Sequence, residues 1–334
     1  VITPTLDAEG RKLGDFIEQA PYLEWLASDY PRAGVTCQSC HVAPIKDAAG
    51  KLTAHYIAHR PPGGPFPPTR PRTPFGLHFF AGANSAMLSL LAGIELERAP
   101  ELQRTARRGR DLLRSALSLE PSAAREGDTL SLEIAVRNLA GHKVPTAFPS
   151  RRVWLHVVVT GGDGSKLFES GGWDANGEIA GGEQPHHALI SRPEQAMIYE
   201  AAYRDSRGGS TMSLLRAASY GKDNRILPRG FDGSRELPGG RKAGRVGPAG
   251  VADDGFRPGV HRARYQIGGA RGAARVLVEA CYQSIAPRHA ASLEAVEHDD
   301  IRRFSQLYGK GQQPEVMARM ELDLSREAGQ ANPD

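Results

Sequence analysis

Cys37-Gln38-Ser39-Cys40-His41 is the stretch on which the reading of this chain turns. Two thiols separated by two residues match the two vinyl groups of one porphyrin, and a histidine directly after the second thiol is delivered to the iron from one face. With 3 Cys and 11 His in 334 residues, random ordering would produce this string in roughly one chain in a thousand. Three other uses of Cys-x-x-Cys compete with haem. A zinc knuckle needs a second ligand pair, and the remaining thiol, Cys281, stands alone far along the chain. A thioredoxin-type pair opens a helix after a buried strand, whereas Pro31, Gly34 and Pro44 bracket these cysteines. A plain disulfide is the third. Covalent haem c on Cys37 and Cys40, with His41 as an iron ligand, is therefore the primary expectation.

Working outward, residues 21–28 (PYLEWLAS) predict a short helix with proline in its first turn and Tyr22, Trp25 and Leu26 on one side, a wall for the haem pocket. Residues 60–74 (RPPGGPFPPTRPRTP) are too rich in proline for helix or central strand and predict an extended strap. Helices are expected over 84–97, with Met87 and Leu91 on the packed face, and from Pro100 to about Leu117. After Pro121 the apolar period drops to two. Leu130, Leu132, Ile134 and Val136, then Val153, Leu155, Val157 and Val159, mark strands, and 196–203, 261–267, 274–283 and 318–324 follow, with a helix near 299–308. The fold class expected is α+β: haem-binding loops and helices over 1–120, then an antiparallel β-sandwich over 121–334.

No apolar run is long enough to span a bilayer. The sequence begins at Val1 without a signal peptide. Because covalent haem is installed outside the cytoplasm, a periplasmic or extracellular protein whose leader has been removed is expected. The net charge of +4 gives no indication of nucleic acid. Residues 205–249 carry nine basic side chains (Arg207, Arg216, Lys222, Arg225, Arg229, Arg235, Arg241, Lys242, Arg245) against Asp205, Asp223, Asp232 and Glu236. This stretch reads as a solvated loop, with a docking surface for an acidic redox partner as the functional alternative. Nucleophile elbow, Walker loop, dinucleotide fingerprint and HExxH helix are all missing from the sequence.

YLEWLASDY leading into GVTCQSCH, then LHFFAGAN, NLAGHKVPTAFPSRRVWLHV, IYEA, LLRAASYGKDNRILPRGFD and VEACYQSI together resemble exported multihaem cytochrome c family proteins of bacteria. The resemblance runs over nearly the whole chain and implies a haem-bearing segment followed by a β-sandwich, in a protein that moves electrons in the periplasm or at the cell surface. This chain departs from the family in having a single Cys-x-x-Cys-His, and in having Ala147 where relatives carry glycine.

The sixth iron ligand decides what such a haem does. His78 leads, since its LHFFAGAN block resembles the distal-histidine motif of the family. His142, in AGHKVP at a strand end, is the alternative, and that position also suits a histidine bracing a turn. His55 and His59 follow, and Met87 reads as helix packing. His186 and His187 form a pair lacking an identifiable third metal ligand. Arg151 and Arg152 could neutralise haem propionates or form a strand-end surface pair. Trp154 and Trp173 read as sandwich residues, and Cys281 as a buried free thiol.

The functional expectation is an electron carrier rather than an enzyme. One haem exchanges single electrons by outer-sphere transfer with other redox proteins, cytochromes among them, or within an oligomer. Two alternatives stay open: a haem peroxidase or gas-binding protein with a vacant sixth position, and a structural subunit of a cytochrome filament or membrane redox complex.

Overall fold

The computed structural model describes residues 1–56, 70–182, 184–309 and 312–325. Most of the proline-rich strap, with His59, lies outside the described residues. The chain opens with a hairpin, β1 (Ile2–Leu6) and β2 (Lys12–Ile17), followed by α1 (Pro21–Leu26) and the single turn α2 (Cys37–His41). After an irregular segment come α3 (Ser85–Ala92) and α4 (Ala99–Ser115), which pack on each other. Next in order are β3 (Leu117–Glu126), β4 (Thr129–Asn138), β5 (Arg152–Gly161), β6 (Lys166–Ser170), β7 (Ile198–Arg204), β8 (Ser210–Thr211) and β9 (Ser219–Asp223). The chain continues through β10 (Glu236–Leu237), β11 (Arg241–Lys242), β12 (Phe256–Arg257), β13 (Val260–Ile267), β14 (Ala273–Gln283), α5 (Pro287–Leu293), α6 (Asp299–Tyr308) and β15 (Glu315–Asp323).

The class is mixed α+β with antiparallel sheets. One sheet runs β12-β13-β4-β3; the other runs β15-β14-β5-β7-β8, with β6 on β5 and β9 on β7. The period-two pattern explains why these strands hold their register: Leu132 faces Tyr265 and Ile134 faces Ala263 across β4 and β13, while Val157 faces Val278 and Val159 faces Val276 across β5 and β14. Both sheets feed one core containing Leu130, Ile134 and Val136 from β4, Leu155 and Val157 from β5, Val276 and Val278 from β14, and Tyr199 from β7. Each such side chain contributes roughly 1.5–3 kcal/mol on burial. Leu113 of α4 joins the same core, so the helical region is continuous with the sheets.

Two elements differ from expectation. The β1–β2 hairpin stands where only loops and helices are expected; its turn is closed by Asp7, whose Oδ1 accepts from the amides of Glu9 and Arg11. The second long helix ends at Ser115, and β3 begins at Leu117, crossing residue 120. Pro121 is accommodated inside β3, an edge strand, the setting in which a proline nitrogen can face away from the ladder. Inward-facing partners also account for much of the 205–249 stretch. Lys222 and Arg225 are buried, Arg216 donates to Leu6 O, and Arg235 donates to Leu26 O and Ser28 O.

Candidate functional site

Thr36 precedes α2 in extended backbone, and its amide donates to Ser39 Oγ at 3.1 Å, which starts the turn at Cys37. Three-residue spacing in a helical turn places Cys37 and Cys40 on one side, both exposed and unbridged. His41 ends the turn. Its Nδ1 lies 2.7 Å from Ala81 O; since a carbonyl only accepts, Nδ1 carries the proton and Nε2 keeps its lone pair.

The second imidazole comes from the loop after β4. Asn138, buried at the strand end, shapes it: Nδ2 donates to His142 O (2.7 Å) and Ile226 O (2.8 Å), and Oδ1 accepts from the Ala140 amide (2.7 Å). His142 Nδ1 lies 2.9 Å from Lys143 O, so this ring too has its proton on Nδ1 and its Nε2 lone pair available. Burial holds its pKa below the usual imidazole value. The two rings lie 6.3 Å apart, centre to centre, with planes 19° apart.

Both rings line one cavity of about 560 Å³, together with Cys37 and Cys40. Its walls are apolar: Pro21, Tyr22 and Trp25 of α1, Leu112 and Leu113 of α4, Val153 of β5, Tyr282 of β14 and Met317 of β15. The volume falls within the roughly 300–1,000 Å³ typical of cofactor sites. Arg151 reaches the same cavity, held by Thr146 O (3.1 Å) and Asn84 Oδ1 (3.1 Å). Arg152, by contrast, is buried among Gln283, Glu178 and Gly177 O, so the two arginines are not a surface pair.

The donor set fits haem c. Two thiols border the cavity beside two imidazoles whose other nitrogens are each tied to a carbonyl, the arrangement that orients metal-ligating histidines. Two imidazoles reaching one metal ion through Nε2, at about 2.0 Å each, have ring centres no more than about 6 Å apart. The 6.3 Å between the ring centres lies at that limit.

The other sequence-derived candidates lie elsewhere. His78 is exposed, stacked on Phe80 and outside the cavity lining. His55 bonds Thr53 Oγ1 and packs near Phe75. His187 bonds Gln184 Oε1. Cys281 is buried with Trp154, Ile179 and Ile198, and burial pushes its thiol pKa well up.

His186 does have carboxylate and imidazole neighbours that its sequence context does not disclose. Its Nε2 lies 2.7 Å from Asp253 Oδ2, which is 3.1 Å from His261 Nε2. The Asn224 amide is fixed by the Glu200 amide on Oδ1 and by Ile198 O on Nδ2, so its second amide proton points at His186 Nδ1. His186 therefore carries its proton on Nε2 and donates it to Asp253, a hydrogen-bonded cluster rather than a metal-ready one.

No family model matches the chain, and no curated protein matches it. Among solved structures it is similar to a penta-haem cytochrome c552 from Thermochromatium tepidum, with a TM-score of 0.50 and 15% sequence identity, over 96% of this chain and 53% of that one. The chain thus spans about half the length of that cytochrome, and the likeness concerns the fold.

Proposed function

We propose that this chain is an exported c-type cytochrome with one covalently attached haem, which Cys37 and Cys40 would hold through thioether links and whose iron His41 and His142 would ligate. The observation that carries the reading is the pair of near-parallel imidazoles, 6.3 Å apart, inside the cavity that the two thiols border. The fold shared with a penta-haem cytochrome supports it. So does the cysteine inventory, which allows a single attachment site. When bound, haem supplies a one-electron couple whose potential follows its axial ligands and burial.

The chain's own residues do the rest. Residues 1–120 contribute attachment, and residues 121–334, read as an antiparallel β-sandwich, contribute His142 and a rigid mount for it. His142 takes the place for which His78 leads on sequence. Its presence opposite His41 favours electron transfer over peroxidase or gas-binding chemistry, because those need a free position on the metal. The protein then exchanges electrons with other redox proteins, cytochromes included, or with copies of itself in the periplasm or outside the cell. Among the described residues no helix is long and apolar enough to cross a membrane.

Intact mass under denaturing conditions, with a redox titration of the native protein, tests this. One retained haem per chain and a reversible one-electron wave are expected. A protein that releases its haem on denaturation, or carries none, contradicts the proposal.

A further inference from the structure

Helix α1 touches both segments that carry the candidate ligands, and it does so through adjacent residues. Trp25 Nε1 donates to Val35 O at 2.9 Å, two residues before Cys37. Glu24 is 1% exposed, and its Oε2 accepts from the Lys143 amide at 2.9 Å and from Thr146 Oγ1 at 3.1 Å. The Lys143 carbonyl is the acceptor for His142 Nδ1, so Glu24 grips the same residue whose carbonyl orients the imidazole. The loop is pressed against α1 along its length. A Cβ on Gly141 would come within 3.1 Å of Trp25 Cδ1, and Tyr30, just beyond the helix, donates its hydroxyl to Leu139 O at 2.7 Å. At the far end, Lys143 Nζ is fixed by Asp223 Oδ2 at 2.5 Å and by Gly247 O at 3.2 Å.

A buried carboxylate is costly to desolvate and is retained where its hydrogen bonds hold something in place. We propose that Glu24 is a positioning residue for the haem site: by clamping the Lys143 amide and the Thr146 hydroxyl to α1 it fixes the His142 imidazole opposite His41. The inference rests on His142 being the distal ligand, and it goes further in assigning the geometry of that ligand to a side chain 118 positions away in sequence. A ligand held by this clamp rebinds faster than an exogenous molecule displaces it; a freed loop gives that advantage up.

The test compares haem-loaded full-length wild type with Glu24→Ala, Glu24→Gln and His142→Ala, reading the adduct formed when carbon monoxide is added to ferrous protein, together with the midpoint potential. Wild type and Glu24→Gln, which keeps an acceptor oxygen, are expected to stay inert. Glu24→Ala is expected to form about tenfold more adduct than wild type, the equivalent of a loosening of about 1.4 kcal/mol, and to shift in potential. If Glu24→Ala does not fold, Glu24→Asp moves the acceptor back by one methylene, and adduct above the wild-type level supports the clamp. Reactive His142→Ala beside inert Glu24→Ala and Glu24→Asp, with unchanged potentials, overturns the clamp alone. Inert His142→Ala overturns the ligand assignment, and the clamp with it.

Discussion

His41 and His142 sit 101 residues apart in sequence, yet their ring centres lie 6.3 Å apart with planes near parallel, each with Nδ1 committed to a backbone carbonyl. With Nδ1 committed, Nε2 is the nitrogen each imidazole has available, and both residues line the same cavity. Backbone carbonyls orient the two rings, and the side chains of Asn138 and Glu24 hold the loop that carries His142.

Removing one thioether link has a specific chemical outcome. Cys40→Ala leaves the imidazole pair and the cavity walls intact but deletes one attachment. Under the account, haem in this variant is held by a single covalent bond, and the double variant with Cys37→Ala holds none. Haem staining of denatured protein checks this: the signal persists in the single variant and disappears in the double one.

Ala147 has φ +67°, the left-handed region in which a Cβ costs roughly 1–2 kcal/mol. Ala147→Gly relieves the crowding and gives back some unfolded-state entropy, for a net gain of about 0.5–1 kcal/mol. Thermal unfolding should move up by about one degree, with no change in the haem spectrum.

Asp223 lies between two buried cations, Lys143 and the bidentate Arg225. Burial pushes its carboxyl pKa up, but the two cations outweigh this and hold it below the usual carboxylate value. Asp223→Ala strands both cations and is expected to cost about 3–5 kcal/mol. Lys143→Met leaves the Asp223–Arg225 pair whole and should cost about 1–2 kcal/mol. Denaturant unfolding of the two variants checks the order, and equal losses would contradict it.

Stability should also depend on pH through His261. Burial lowers its pKa to about 4, against the hydrogen bond to Asp253, which acts in the opposite direction. The unfolded chain, with its histidine near 6.5, therefore binds more protons between pH 6.5 and 4. Stability is full above that window, falls as pH drops through it, and has lost about 3 kcal/mol at its lower end. His261→Gln should flatten the profile over this range. An unchanged slope in the variant would assign the acid sensitivity to other groups.

Local chemistry was legible in the sequence and long-range placement was not. Cys37, Cys40 and His41 announce themselves because five consecutive residues carry the whole signal. The strands β4 and β5 follow from apolar alternation, β13 and β14 from apolar runs set between turn residues, and α6 from its place between the last two strands. Strand β3 is hidden because Leu117 and Leu119 continue the helical spacing of α4 and because Pro121 suggests a break, whereas an edge strand tolerates it. On sequence His78 leads by the character of its surrounding block, whereas the contacts that place His142 beside His41 run across the chain: Glu24 to Lys143, Tyr30 to Leu139 and Trp25 against Gly141. The signal available was the string Gly-His-Lys at a strand end. A lysine there is spaced to fall inside the fold, and its burial requires a partner that only the structure supplies. Likewise, nothing near His186 in sequence indicates Asp253 or His261.

Absorption spectra of ferric and ferrous His142→Ala and His78→Ala, beside wild type, test the central claim most directly. The account predicts that wild type and His78→Ala share one low-spin, six-coordinate spectrum and that His142→Ala loses it, becoming high-spin and open to carbon monoxide. A low-spin spectrum retained in His142→Ala and lost in His78→Ala would contradict it.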